Sequence, residues 1–162
     1  MDKFFISPPE APSSGWALKE GKLAEALRTR WPDAELEVVS RPESLYVLCW
    51  TVNIDGEPID GSLARNRLTV VLDGDVRAAA VFARWLRDIV PASQPLLFYD
   101  EGYSADIRIT ANTSPEDLAG LAFDSLCRAL QRRACSAPLR CVKPASEMAP
   151  PCLFQVGADA MA

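Results

Sequence analysis

Residues 45–62 read LYVLCWTVNI (Leu45–Ile54) and then DGEPIDGS (Asp55–Ser62), and how they are parsed decides the fold. Over Leu45–Ile54 both alternating sets are apolar: Tyr46, Leu48, Trp50, Val52 and Ile54 on one side, Leu45, Val47 and Cys49 on the other. Successive residues of a strand point to opposite faces, so apolarity in both sets predicts a central strand covered on both faces, by a helix or by another subunit. Asp55-Gly56 is a turn signal and Gly61-Ser62 another; Glu57–Asp60 between them reads as a short excursion.

Working toward the N-terminus, Ala34–Ser40 alternates Leu36 and Val38 with Glu35 and Glu37, as a half-buried strand does. Leu23, Leu27 and Trp31 recur every four residues and predict a helix over Trp16–Arg30, stopped by Pro32 because the residue before a proline leaves the helical region. Lys3–Ile6 is a short strand, and the Pro- and Ser-rich segment Pro8–Gly15 a loop.

Toward the C-terminus, Arg67–Leu72 is a further strand. A helix over Asp75–Val90 follows, capped by Asp73 or Asp75, with Val76, Ala79, Ala80, Ala83, Leu86, Ile89 and Val90 on its buried side. Asp73-Gly74-Asp75 also has the Asp-X-Asp spacing of some glycosyltransferases, but a capped helix start explains it more simply. Pro95–Thr110 is a β-hairpin: Leu96–Tyr99 outward, Asp100-Glu101-Gly102 as the turn, Ala105–Thr110 alternating on the return. Ser114-Pro115-Glu116-Asp117 opens a third helix with a cap, a first-turn proline and acids at the positive end of the dipole. Beyond Ala134 the prolines at 138, 144, 150 and 151 break every period, so residues 134–162 read as an irregular or weakly ordered tail, with at most a short strand at Leu153–Val156.

The expectation is one α+β domain over 1–133: an antiparallel sheet of five to six strands with three helices packed mainly on one face, in the order β-α-βββ-α-ββ-α. The 162 residues and 49% hydrophobic content match a single core of ordinary size.

Composition narrows the chemistry. The chain has no histidine, which removes Ser-His-Asp and Cys-His machinery and the commonest transition-metal ligand. There is no Walker loop and no GxGxxG. The five cysteines, at 49, 127, 135, 141 and 152, include no CxxC pair, so neither a zinc site nor another cofactor is expected. A formal net charge of −5 argues against non-specific binding of nucleic acid; it suits a basic partner and equally suits plain solubility. No apolar run is long enough for a membrane span and the N-terminus is too short of one for a signal peptide, so the expected compartment is the cytoplasm.

The most distinctive chemistry surrounds the hairpin turn, where Asp100, Glu101 and Asp106 accompany Tyr99 and Tyr103. These acids are hard oxygen ligands, but their spacing matches no metal loop of known mechanism. Acids beside a glycine also make an ordinary solvated turn. The reading adopted is a protein-binding edge: tyrosines supply rigid contact area and the acids steer a basic partner. The second acidic turn, with Asp55, Glu57 and Asp60, joins that surface if both turns lie at the same edge of the sheet.

Gln94–Asp106 followed by Thr113–Leu118 resembles segments of small bacterial α+β proteins, similar in general build to immunity proteins of polymorphic toxin systems; the resemblance covers roughly residues 45–120. It implies a non-catalytic inhibitor that neutralises a basic toxin by covering it, alone or as a homodimer. The element order is also similar to the acidic dimeric chaperones of type III secretion, from which the N-terminal strand, the Asp55–Gly61 excursion and the proline-rich tail depart. A metal-dependent carboxylate enzyme is the alternative from another class.

Overall fold

The computed structural model describes residues 2–12, 15–102, 106–120 and 122. Its elements are β1 (Asp2–Ser7), α1 (Glu20–Arg30), β2 (Glu35–Val38), β3 (Tyr46–Ile54), β4 (Glu57–Ala64), β5 (Val70–Gly74), α2 (Val76–Ile89), β6 (Leu96–Asp100) and β7 (Asp106–Ile109). A third helix, α3, opens at residues 115–120. The seven strands form one antiparallel sheet in the order β2-β3-β4-β5-β1-β6-β7. The fold is thus α+β as expected, with seven strands rather than five to six. The tail over 134–162 and the cysteines at 127, 135, 141 and 152 lie outside the described residues.

The additional strand is β4, where the sequence reading placed an excursion and a second turn. Asp55 and Gly56 have φ of 55° and 90°, the left-handed pair that a two-residue hairpin with matching strand twist requires. Pro58 then lies opposite Asn53, in a pair that makes no hydrogen bond across to β3. Pairing with β5 begins only at Asp60, so the missing N–H of Pro58 interrupts no ladder.

Gly61 is mid-strand, not a turn. It sits opposite Trp50, and a Cβ there would stand 2.1 Å from the indole. The glycine leaves the trough across β4 in which Trp50 lies, stacked on Phe82 of α2 with centroids 5.7 Å apart.

A second difference concerns the faces of β3. The register shifts between Tyr46 and Leu48, so Val47 is an extra residue and Tyr46 pairs with Ala64 instead of continuing the Leu48–Ile54 set. Leu48, Trp50, Val52 and Ile54 are buried, whereas Cys49 and Thr51 are half-buried, Asn53 is exposed, and Leu45 is 76% exposed. The strand is therefore fully covered on one face only.

β1 lies between β5 and β6, placing Phe4 and Ile6 in the middle of the core. Phe4 stacks on Phe98 of β6 at 5.4 Å. Over the same face, Phe82 meets Trp31, Trp50 and Trp85, and Ala78, Ala79, Ala80 and Ala83 are all buried on α2. Each large side chain buried there contributes roughly 1.5–3 kcal/mol.

The helix ends are specified locally. Asp75 caps α2, accepting from the Arg77 N–H at 2.8 Å. At its other end the buried Arg87 donates to the carbonyls of Val90, Pro91 and Gln94, tying the helix's C-cap to the loop that leads into β6. Burial lowers the Arg87 guanidinium pKa from its ordinary value, with Asp88 opposing that shift and Arg84 adding to it. Ile89, expected on the buried side of α2, is instead exposed. Ser114 and Asp117 cap α3 reciprocally: the Asp117 N–H donates to Ser114 Oγ at 3.0 Å and the Ser114 N–H to the Asp117 carboxylate at 3.3 Å.

Candidate functional site: the open face of the sheet

Because strand residues alternate, burying Phe4, Ile6, Leu72 and Phe98 against the helices turns Lys3, Phe5, Ser7, Val71, Asp73 and Tyr99 to the other face. The register arranges that face in cross-strand rows. One runs Glu35, Thr51, Asp60, Asp73, Lys3 across β2, β3, β4, β5 and β1. The next runs Glu37, Cys49, Ser62, Val71, Phe5, Tyr99, Asp106 from one edge of the sheet to the other. Ser7, Leu97 and Arg108 continue beyond it.

The second row has a half-buried middle (Cys49, Val71, Phe5, Tyr99) and an exposed acid at each end. Phe5 and Tyr99 stack with centroids 5.3 Å apart and planes within 11° of parallel. The Tyr99 hydroxyl shares a hydrogen bond of 3.2 Å with Ser7 Oγ, which fixes the ring. The first row is charged. Asp60 accepts from the Thr51 hydroxyl at 2.6 Å and faces Asp73 directly across the β4–β5 ladder, a like-charge pair that costs stability. Among the described residues, Oδ1 of Asp73 is buried without a hydrogen-bond partner, and Lys3, the residue opposite on β1, makes no ion pair with it. The strands of this face thus carry five acids (Glu35, Glu37, Asp60, Asp73, Asp106) against two cations, Lys3 and Arg108.

The residues singled out from sequence divide between faces. Tyr99, Asp60 and Asp106 share the open face, Tyr99 directly opposite Asp106. Asp100 does not: strand alternation turns it to the helix side opposite Phe4, where it is 5% exposed. Its carboxylate folds under the turn, 3.4 Å from where a Gly102 Cβ would stand. Glu101 is exposed and anchored by its N–H, which donates to the Lys3 carbonyl at 3.1 Å. Tyr103 lies outside the described residues. Asp55 is exposed at the β3–β4 turn and borders a cleft of about 570 Å³ with Arg77 and Glu116. Glu57 pairs with Ile54 and so belongs to the helix-side set.

The register also fixes where the two acidic turns stand. Thr51, Asp60, Asp73 and Lys3 lie in one row, and Glu101 bonds to Lys3, so the Asp55-Gly56 and Glu101-Gly102 turns project from the same end of the sheet. Three strand spacings, about 14 Å, separate β4 from β6.

The sequence reading did not single out Phe5, Val71, Asp73, Glu35 or Glu37 for this surface. Phe5 and Val71 are ordinary strand residues until β1 is known to lie beside β5, and Asp73 was read with the α2 cap. Glu35 and Glu37 also blunt an edge strand, which protects it from pairing with other chains. Among the described residues, no three acidic or thiol side chains converge to hold a metal ion, and no helix is long and apolar enough to cross a membrane. No family model, characterised protein or solved structure matches the chain.

Proposed function

We propose that this chain is a non-catalytic binding protein that docks a basic protein partner on the open face of its sheet, in the manner of an immunity-type toxin inhibitor. The observation that carries the reading is the composition of that face: five acids, four of them exposed, around a fixed aromatic pair. Lysines and arginines of a partner would pair with the exposed carboxylates of Glu35, Glu37, Asp60 and Asp106. Phe5 and Tyr99 offer rigid contact area at the centre, and the surrounding acids accelerate and orient the encounter.

The test uses poly-L-lysine as the basic probe, titrated calorimetrically into the full chain at several salt concentrations. Neutralising Glu37, Asp60 and Asp106 together (to Gln, Asn and Asn) is expected to weaken binding about tenfold, or ~1.4 kcal/mol, and to flatten its salt dependence. Neutralising three acids outside the strands of that face, Glu10, Asp33 and Glu43, removes the same charge and is expected to change binding far less. Equal losses in the two variants would reduce the effect to net charge and reject the surface.

A further inference from the structure

On the helix side a groove of about 810 Å³ runs between α1 and the C-terminal end of α2. The indoles of Trp16 and Trp85 line it together with Ile89 and Pro91, and the buried Leu18 and Leu23 contribute apolar surface beneath. Leaving Ile89 41% exposed beside two indoles is an uncompensated apolar surface on an otherwise well-buried helix.

The charge around the groove runs opposite to that of the chain. Lys19, Lys22 and Arg30 line it, against Glu25 alone. None of these three cations makes an ion pair among the described residues, although Arg30 lies over the Trp31 ring at 5.5 Å. Glu20, next to Lys19 in the chain, is taken up by Arg67 at 3.0 Å. For the helix itself the lysines are badly placed. Lys19 occupies the N-cap without a side-chain hydrogen bond and Lys22 the first turn, where the dipole favours acids over cations. Local folding preferences therefore do not account for positive charge there, whereas an anion seated against an apolar wall would.

We propose that this groove binds an amphipathic carboxylate: an acyl or aryl body between Trp16, Trp85 and Ile89, with its carboxylate beside Lys19 and Lys22. The volume falls within the roughly 300–1,000 Å³ typical of small-molecule sites. The lining comes from one stretch, 16–30, and one helix end, 85–91, a compact set that matches a small ligand better than a long protein segment. Residues 134–162 do not complement the groove by charge, because Arg140 and Lys143 balance Glu147 and Asp159.

The experiment titrates sodium decanoate, below its micellar concentration, into the full chain, followed by tryptophan fluorescence and calorimetry. Saturable binding that changes the fluorescence is expected, with decanol at least about tenfold weaker. Lys19→Glu and Lys22→Glu are expected to weaken decanoate about tenfold each. Both changes suit the helix dipole, so unfolding would not explain the loss. Ile89→Asp, at an exposed position, is expected to abolish binding of the alkyl chain. Absence of saturable decanoate binding, decanol binding as tightly as decanoate, or charge reversals without effect would each overturn the proposal. So would an acidic amphipathic peptide that bound the groove where decanoate did not.

Discussion

The two faces of the sheet are built from the same seven strands but under different constraints. On the helix side, Phe82 touches three indoles, four alanines let α2 lie close, and Gly61 is a glycine because Trp50 occupies the space of its side chain. Most positions there are fixed by volume, with Asp100 a buried polar exception. On the open side, Asp60 faces Asp73 across the ladder, and Phe5 and Tyr99 are only half-buried. Folding alone would favour other residues at those places. The difference separates the face that makes the protein stable from the face proposed to dock a partner.

Substitutions can break or sharpen that contrast, and the largest effect belongs on the helix side. Phe82→Ala should cost about 3–5 kcal/mol, read from urea unfolding, since it empties the centre of the aromatic cluster. Gly61→Ala comes next, at about 1–3 kcal/mol, because the Trp50 ring must leave its rotamer to admit a methyl group. A Gly61→Ala protein as stable as the parent would show that the trough across β4 is not filled as described. Asp75→Ala should cost about 1 kcal/mol through loss of the α2 cap.

The smallest effect, and the one of opposite sign, lies on the open face. Asp73→Asn should stabilise by about 0.2–1 kcal/mol, by removing a like-charge pair and giving Asp60 a donor across the ladder. A clear loss of stability in Asp73→Asn would instead mean that this carboxylate serves the fold, and the contrast between the faces would fail there.

Much of this was legible in the sequence, though unevenly. The helices were readable from four-residue spacing, from Asp75 as a cap and from Ser114–Asp117, because those signals are local; α1, which has no side-chain cap, starts at Glu20 and not at Trp16 as the spacing predicts. The β6–β7 hairpin and the Asp55-Gly56 turn were readable for the same reason. Strand β4 was hidden because Pro58 and Gly61 are breakers in most contexts. They are harmless here only because β5 pairing starts after Pro58 and because Trp50 fills the space above Gly61, and both reasons are tertiary. The central place of β1 depends on partners about 70 and 95 residues away and leaves no trace in Asp2–Ser7 itself. Of the candidate site, Tyr99 and Asp106 were correctly grouped as strand residues of one hairpin. Asp100 could have been separated from them by counting, since it shares parity with Leu96 and Phe98. The rows joining Asp60 to Asp73 and Phe5 to Tyr99 could not have been, because register is set by pairing across the whole sheet.

The central claim is that the open face is the one that binds. Amide chemical-shift mapping by NMR, with poly-L-lysine added to the intact chain, tests it most directly. The account predicts perturbations clustered at Lys3, Phe5, Val71, Asp73, Tyr99 and Asp106, with α1 and α2 largely silent. Perturbations concentrated on α1 and α2, or scattered over every exposed acid without regard to face, would contradict it.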